Sequence, residues 1–538
     1  MATKKVSEHL QRFEHLSGKR SNWEAHWQEI SEVVLPRRGD FTGRQERGGK
    51  RGLNAVDSTA IIANELLAAG LHGMLTNPAS KWFMLRLTDE HLMEERDVKT
   101  WLQEVERRIY IHLNAPAASF ASHMHELYMD LTAFGTAIMF VGERDIDSQL
   151  TFSTRHLKEC YLAENSDGYI DTVYRKFDFT ARQIVQRWGE KKVSRRIREC
   201  YDKGKLDETF TIVHCVYPRM DTDYKSKRRD QMPVASLYIL QQDQHILHEG
   251  GYEEMPYVAP RWVKAAGEVY GRGPGMATLP DVKMLQEMTK TVLKAAQKIV
   301  DPPLQLEDDS LLSPVRTVPG GLNFRRAGSE KIEPLMTGAN IPIGLDMLQD
   351  VRVRIREGFF IDQLQLHQGP QMTATEVLQR TEEKLRLLGP VLGRLQSELL
   401  GPMIERVFGM LSRRGQLPEL PPVLEEANYN IEYVSPLARA QRQIEANGLL
   451  RIFEIGGPLA EFDPSSMQVI KGDETIRWLG ELFGVPNHLF LSRDEAQELK
   501  QMQAEQAQQA QMLAQAQQGA DVVNKIAPLA NGNAGQAA

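Results

Sequence analysis

Long hydrophobic runs and paired cysteines are both missing from this sequence of 538 residues. A membrane-spanning helix needs about 18 or more consecutive apolar residues, and no such run occurs. The three cysteines, Cys160, Cys200 and Cys215, are too few for a disulfide scaffold and lack the spacing of metal ligands. The opening segment MATKKVSEHLQRFEHL has no apolar core like that of a secretion signal. We therefore expect a protein of a reducing compartment that is neither exported nor membrane-spanning.

Sequence motifs of the common enzyme classes are also missing. There is no GxSxG, no GxGxxG after a strand, no HExxH and no CxxC pair. The segment GRQERGGKR superficially resembles a phosphate-binding loop, but Arg51 follows Lys50 where a serine or threonine should hold Mg²⁺. His123, His125 and Glu126 lie close together without a metal-binding spacing, so we interpret them as surface or core residues. We expect no enzymatic activity, no cofactor and no metal.

The composition is that of an ordinary globular protein, with 41% hydrophobic and 25% charged residues and a net charge of −7. Bulk positive charge therefore cannot drive nucleic-acid binding, which would need basic side chains gathered on one surface. The patterns predict an α+β protein that is mainly helical. Residues 4–35 form an amphipathic helix that ends at Pro36, and Asp57 or Ser58 caps the next one. Residues 150–247 change to strands, with a capping box at Thr180 and Gln183.

Two helices in the middle of the chain frame an insertion rich in proline and glycine. The first starts at Pro280 or Asp281 and ends at the segment Asp301-Pro302-Pro303. The second runs from about Leu345 to Phe360. The spacing predicts an apolar row on each helix; the rows are Leu285, Met288, Val292, Ala296 and Ile299, then Leu345, Leu348, Val351, Ile355 and Phe359. Together the helices predict a hairpin with an elaborated tip.

Lysines lie on the side of the first helix opposite its apolar row. They are Lys283, Lys290, Lys294 and Lys298, and Arg352 and Arg356 flank the apolar row of the second helix. The simplest interpretation of the lysines is the solvated face of an amphipathic helix. If many copies surrounded one axis, the same row would focus a positive field on a polyanion.

Several long segments resemble one protein family. PYVAPRW at residues 256–262, YGRGPGMATLPDVK at 270–283, DTVYRKFDFTARQIVQRWG at 171–189 and YVSPLARAQ at 433–441 are similar to segments of the portal proteins, or head-to-tail connectors, of short-tailed T7-like bacteriophages. The resemblance extends over most of the chain, up to its Gln-rich end. It implies a portal fold that assembles as a ring of twelve copies at one capsid vertex, with a channel for packaging and ejecting double-stranded DNA.

The resemblance also implies a division of the chain. We expect a wing at 1–275 with its β-rich part at 150–250, a first stem helix at 276–303, a clip at 304–342, a second stem helix at 343–362, a tunnel loop at 363–374, a long kinked helix returning to the wing at 375–435, a crown at 436–494, a Gln-rich helix able to form a barrel at 495–518, and a disordered tail at 519–538. The clip would dock the terminase large subunit, which supplies the force, and later the tail adaptor.

Further partners implied by the resemblance are scaffolding and major capsid proteins and internal core proteins. The chain would assemble in the host cytoplasm and remain in the virion at the portal vertex. The candidate channel residues are those already named on the two helices together with Lys384 and the tunnel-loop residues Gln363, Gln365, His367, Gln368 and Gln371. Uncharged polar groups could contact a moving DNA backbone without binding it tightly, although 363–374 could equally be a simple linker.

A second function from another class fits the same sequence. A scaffold or adaptor that binds only proteins would also carry amphipathic helices, with the lysine row simply in contact with solvent. The two functions differ in their oligomeric state, because a channel needs a ring with a central hole and an adaptor does not.

Overall fold

The structure is a computed structural model that describes residues 2–43, 48–52, 54–78, 81–144, 149–220, 228–305, 324, 333–334, 341–364, 388–425, 431–434, 446, 448–455, 472–483, 489–491, 495–496, 498–503, 505–506 and 508–509. The helices are α1 (Ala2–Val33), α2 (Thr59–Leu75), α3 (Arg96–Leu113), α4 (Phe120–Phe134), α5 (Ala181–Trp188), α6 (Arg195–Asp202), α7 (Pro274–Ala277), α8 (Leu279–Val300), α9 (Ile341–Gly358) and α10 (Ile361–Leu364), followed by helices at Gly401–Arg413, Pro422–Glu425 and Gly472–Phe483.

The strands are β1 (Met84–Leu87), β2 (Ile138–Glu143), β3 (Leu150–Arg155), β4 (Cys160–Glu164), β5 (Ile170–Thr180), β6 (Thr209–Pro218), β7 (Val234–Leu240), β8 (His245–Tyr252), β9 (Tyr257–Val258), β10 (Leu304–Gln305), β11 (Glu333–Pro334) and β12 (Ile431–Val434). The chain is therefore a mixed, mainly helical protein. It divides into two units, the first with the described residues of Met1–Met84 and Arg107–Leu417, the second with those of Leu85–Glu106, Pro418–Val434 and Ala438–Ala538.

A five-stranded antiparallel sheet of order β4-β5-β6-β7-β8 organises the β-rich part of the first unit. Its two faces are covered by different helices, because successive side chains of a strand point to opposite faces. On one face Val213 and Cys215 of β6 pack with Val6 and Phe13 of α1. On the other face lies the cluster of Phe177, Ala181, Ile184, Val185, Val193, Ile197, Phe210, Ile212, Tyr238, Leu240 and Leu247, to which α5 and α6 contribute.

A second sheet of the first unit has the order β3-β2-β9, and β10 pairs with β11. In the second unit, β1 pairs with β12. Trp101 of α3 donates from its indole nitrogen to the carbonyl oxygen of Pro418 at 3.2 Å. The amide of Leu85 donates to Glu106 at 2.8 Å, which gives this buried carboxylate a partner.

Several local predictions are confirmed. Thr180 and Gln183 form the predicted capping box at the start of α5. Helix α8 begins at Leu279, close to the predicted start, and ends at Val300, directly before the Asp-Pro-Pro segment. The predicted strands at 150–155, 160–165 and 209–217 correspond to β3, β4 and β6.

Other predictions need correction. The second central helix begins at Ile341 rather than near residue 345, since Pro342 has the backbone angle of a first helical turn and needs no amide donor there. A short helix that was not predicted, α7, forms before α8, with Pro274 at its first position. Strand β8 was not predicted as a separate element. Its sequence HILHEGGY has two glycines near its end and no clear alternation of apolar and polar residues.

A five-residue turn of π-helix, Gln396–Leu400, precedes the helix Gly401–Arg413. A long kinked helix was predicted at 375–435, and the π-helical turn lies within that range, directly before Gly401 and Pro402. A wider turn is one known response to a proline, which has no amide to donate to the preceding turn.

Candidate functional site

The two central helices, α8 and α9, pack antiparallel to each other, and we call them the central hairpin. A Cβ added to Gly344 would lie 3.0 Å from Cγ2 of Val292, which fixes their closest approach. Nearer the other end, Nη1 of Arg354 lies 3.5 Å from Oδ1 of Asp281. Beyond α8 and before α9, Leu304 pairs with Pro334 in a short antiparallel ladder. The predicted hairpin is therefore present, while most of the predicted insertion at 304–342 lies outside the described residues.

The inner side of the hairpin is apolar and buried. Its fully buried side chains are Val282, Leu285, Leu348, Val351 and Ile355. Burial of each such side chain contributes about 1.5–3 kcal/mol. The two predicted rows are only partly correct, because Ile299 and Leu345 are about half exposed, at 48% and 52%. Residues 297–300 and 345–347 are all exposed, so the end of the hairpin toward β10 and β11 is not covered by other described residues.

Asp57, immediately before α2, holds α9 in place. Its Oδ2 accepts hydrogen bonds from Nε and Nη2 of Arg352, at 3.0 and 2.8 Å. Its Oδ1 accepts from the amide of Thr59 at 2.8 Å, so Asp57 also caps α2, whereas Ser58 makes no cap bond. Burial by itself would raise the pKa of Asp57, but the hydrogen bonds from Thr59 and Arg352 outweigh it and lower the pKa below its usual value. The carboxylate is therefore held ionised.

Gln286 of α8 binds the same segment from the other helix. Its Oε1 accepts from the amides of Val56 and Asp57 at 2.7 and 2.9 Å, and its Nε2 donates to the carbonyl oxygen of Asp57 at 2.8 Å. The side chain is buried, and all of these bonds connect residues far apart in the sequence. Residues 56–57 therefore hold both helices of the hairpin. Sequence reasoning did not identify Gln286; the only signal was a polar residue beside the apolar row.

The four predicted lysines lie on the exposed face of α8. Lys283 pairs with Glu29 of α1 at 2.6 Å, and Lys290 pairs with Glu287 of the same helix at 2.8 Å. Both pairs are solvent-exposed and contribute little to stability. Lys294 and Lys298 form no ion pair with any residue that the structure describes. The lysine face predicted from the sequence is therefore present on one side of one helix.

The arginines of α9 lie elsewhere. Arg352 points to Asp57, away from the lysine face. Arg356 borders a cavity of about 310 Å³; the other lining residues are Thr59, Ile62, Ala63, Leu66, Ile361 and Asp362. Gln363 belongs to α10. The remaining candidates, Gln365, His367, Gln368, Gln371 and Lys384, lie outside the described residues.

The segment PYVAPRW supplies a buried ion-pair network rather than a surface. Arg261 is 1% exposed and binds both oxygens of Glu398, with Nη2 to Oε1 at 2.7 Å and Nε to Oε2 at 3.1 Å. Its Nη1 also contacts Glu164, and Nη2 donates to the carbonyl oxygen of Gly168 at 2.8 Å. Glu398 lies in the π-helical turn, so Arg261 connects β4 and this turn to the segment that precedes α8.

The segment YGRGPG allows two stretches of backbone to approach closely. A Cβ on Gly271 would lie 2.4 Å from the carbonyl oxygen of Gly135, and a Cβ on Gly275 would lie 2.5 Å from that of Ala133. Gly135 itself has a φ of 73°, which side chains rarely adopt. These glycines place α7 and the segment before it directly against the end of α4, and α8 follows immediately after α7. The segments that carry the family resemblance therefore position the hairpin.

No group of three or more His, Cys, Asp or Glu side chains able to hold a metal ion occurs among the described residues. Within the same part of the chain, no helix is long and apolar enough to cross a membrane.

Comparisons with known proteins agree on one family. The sequence profile of the family described as bacteriophage head to tail connecting protein matches residues 6–491. A probable portal protein of Bordetella phage BPP-1 is 34% identical over 528 residues, covering 96% of this chain and 94% of that protein. The portal protein of Salmonella phage epsilon15 is 31% identical over 95% of this chain and 93% of its own length. The portal protein of Escherichia phage T7 is 22% identical over 76% and 75%.

Proposed function

The chain belongs to the bacteriophage head to tail connecting proteins and functions as a phage portal protein, and on this premise we propose that its copies form a closed ring around double-stranded DNA. The central hairpins would stand side by side as the wall of the passage. The ring would occupy one vertex of the capsid, where DNA enters during packaging and leaves during ejection. The dodecameric state implied by the family resemblance belongs to this proposal.

The observation that carries the ring is the exposed apolar surface of the hairpin in a single copy. Leu293 is 50% exposed, Met347 53% and Val353 38%, all on helices whose inner side is already packed. Exposed apolar side chains gathered on one element are typical of protein interfaces. Side-by-side packing of copies would cover these residues, whereas a solitary adaptor would leave them in water.

The passage would conduct DNA without reading its sequence. Contacts to phosphates carry no sequence information directly, so they permit sliding. The predicted contacts are the exposed lysines of α8, Arg356, and the residues at 363–371 and Lys384. Arg352 is a weaker candidate, because its guanidinium is bound to Asp57. Attraction from lysines would decrease with salt, and too strong an attraction would stop the DNA.

The clip at 304–342 is the proposed docking site for the terminase large subunit during packaging and for the tail adaptor afterwards. Scaffolding, major capsid and internal core proteins are the proposed partners on the capsid side. The protein would assemble in the host cytoplasm and become part of the virion. We propose no enzymatic activity, since the force for DNA movement would come from the terminase.

The function is tested by assembling phage heads in the host with and without this chain and measuring the DNA protected from nuclease. Heads with the chain should hold protected DNA, and heads without it should be empty. A control supplies the chain from a separate gene and should restore packaging. Equal protection in both kinds of head would favour the alternative, an adaptor that binds only proteins.

A further inference from the structure

The outer face of α9 carries the opposite charge to the outer face of α8. Asp346, Asp350 and Glu357 lie on one strip of α9, because their spacings of four and seven residues keep them within about 40° of each other at 100° per residue. The strip lies on the side of α9 opposite the buried Leu348 and Ile355. All three acids are exposed. We call them the acidic row, and Lys283, Lys290, Lys294 and Lys298 the lysine row.

The two rows cannot meet within one copy. Each lies on the side of its helix that faces away from the inner, packed side of the hairpin, so the rows point in opposite directions. Asp346 and Asp350 form no ion pair with any residue in the described ranges, and the same holds for Lys294 and Lys298. One copy therefore presents a basic face on one side and an acidic face on the other.

The rows also overlap in height along the hairpin. Val292 meets Gly344 and Asp281 meets Arg354, so in this antiparallel pair Lys290 is level with Asp346. The same antiparallel alignment places Lys283 at the height of Val353, which lies between Asp350 and Glu357 along α9. Rotation about a ring axis leaves heights unchanged when the hairpins run along that axis. Lys283 and Lys290 of one copy would then be opposite the acidic row of the next, and Lys294 would lie one turn further toward the tip of the hairpin.

Apolar side chains border both rows. Met284 and Leu293 flank the lysine row, and Ile343 and Val353 flank the acidic row; all four are more than a third exposed. A charged strip bordered by apolar residues is suited to a protein partner, because the apolar groups gain from burial and the charges determine which surface fits. A DNA duplex would gain nothing from them and would be repelled by the acids.

We propose that neighbouring copies join head to tail through these rows, so that the lysine row of α8 faces the acidic row of α9 in the adjacent copy. A contact between two different faces of the same chain closes into a ring if the rotation permits. The inference rests on the ring proposed above and narrows its DNA contacts. Lysines that pair with a neighbouring copy would leave Arg356, residues 363–371 and Lys384 as the groups that contact DNA. Paired lysines would also leave the passage weakly charged, which suits a sliding polyanion.

The test uses two variants with opposite charge changes. In variant A, Lys290→Glu and Lys294→Glu make both faces of the hairpin acidic. In variant B, Asp346→Lys and Asp350→Lys make both faces basic. Each variant alone should lose most of its rings, since like charges meet at every contact. An equimolar mixture should recover them, because the acidic α8 face of A fits the basic α9 face of B. Native mass spectrometry distinguishes the two copies by mass and should find A and B in equal numbers.

A chain with all four substitutions should form rings by itself, which separates a charge effect from misfolding. Arg182→Glu with Arg195→Glu is a matched control, because it makes the same charge change as variant A on exposed residues of α5 and α6 and should leave the rings intact. Normal rings of variant A with reduced DNA packaging would place the lysines against DNA and overturn the inference alone. So would a mixture that fails to recover rings although the unaltered chain forms them. Failure of the unaltered chain to form rings would overturn the ring proposal as well.

Discussion

The carboxylate of Asp57 accepts two hydrogen bonds from the guanidinium of Arg352, 295 residues further along the chain. The same carboxylate caps α2, so one side chain joins the start of that helix to the central hairpin. Substitution Asp57→Asn removes the charge and keeps the shape. It should lower the free energy of unfolding by about 2 kcal/mol, because hydrogen bonds to a charged partner are the stronger kind. Denaturant unfolding of the purified chain measures this.

Asp281→Asn is the matched control for that change. Asp281 also pairs with an arginine of α9, Arg354, but at 3.5 Å and in solvent. Exposed pairs of this kind are worth less than about 1 kcal/mol. Equal effects of the two substitutions would show that the Asp57 contact does not hold the hairpin.

Arg261→Met tests the buried ion pairs of the PYVAPRW segment. The substitution removes the shared partner of Glu398 and Glu164, which keep only Arg394 at 3.3 Å and Lys264 at 2.7 Å. Loss of the buried guanidinium should cost about 3 kcal/mol. Arg413→Met makes the same change in an arginine that is 43% exposed and pairs with Glu254, and should cost less than about 1 kcal/mol. Comparable unfolding midpoints for the two variants would contradict the role assigned to Arg261.

Gly271→Ala tests the close approach between the segment before α7 and the end of α4. The added Cβ would lie 2.4 Å from the carbonyl oxygen of Gly135, so the backbone must move, at a cost of about 3 kcal/mol. Gly18→Ala, inside α1, meets no atom within 4 Å and should instead stabilise the chain by about 1 kcal/mol. Thermal unfolding should show shifts of opposite sign, and a neutral Gly271→Ala would refute this packing.

His214 should make stability depend on pH. It is buried between strands, stacks on Tyr238 and hydrogen-bonds to Tyr257 and Ser236, each at 3.0 Å. Burial, with Arg175 and other nearby cations, lowers its pKa well below the usual 6.5. Below about pH 6.5, His214 is therefore protonated in the unfolded chain while it stays neutral in the folded chain. Stability should be constant above that pH with respect to His214 and should fall as the pH drops below it.

The variant His214→Phe measures this contribution. It removes the titrating group, so its unfolding midpoint should fall less between pH 7 and pH 5 than that of the unaltered chain. When the free energy of unfolding is plotted against pH, the slopes of the two chains should differ by at most about 1.4 kcal/mol per pH unit, the value for one proton. The slopes are compared, rather than the midpoints, because the variant also loses two hydrogen bonds. Identical slopes would mean that His214 does not titrate between the two states.

The sequence predicted those helix ends and helix faces that depend on residues close together in the chain. Proline fixed the end of α8, and the spacing of Leu285 and Val292 identified its inner side. Thr180 and Gln183 marked the start of α5, since a capping box depends on residues three apart. The lysine row could also be predicted, because the spacing of its residues along one helix places them on the same face.

Contacts between distant residues could not be predicted in this way. Asp57 was expected only to cap α2, and Arg352 was grouped with the DNA contacts, because periodicity does not show which buried carboxylate an arginine meets. Arg261 and Glu398 are 137 residues apart, and their pairing depends on the packing of β4, the π-helical turn and the segment before α8. The acidic row has a helical spacing of its own, but only the packing of α8 against α9 shows that the two charged rows lie on the outer faces of one hairpin.

We propose that one copy of this chain is incomplete and that the hairpins of several copies enclose a passage for DNA. Electron microscopy of the purified chain shows whether such a passage exists. We expect closed rings with a central hole wide enough for a DNA duplex and with paired helices running along its wall. A chain that stays monomeric at high concentration, or rings whose centre is too narrow for a duplex, would contradict this proposal.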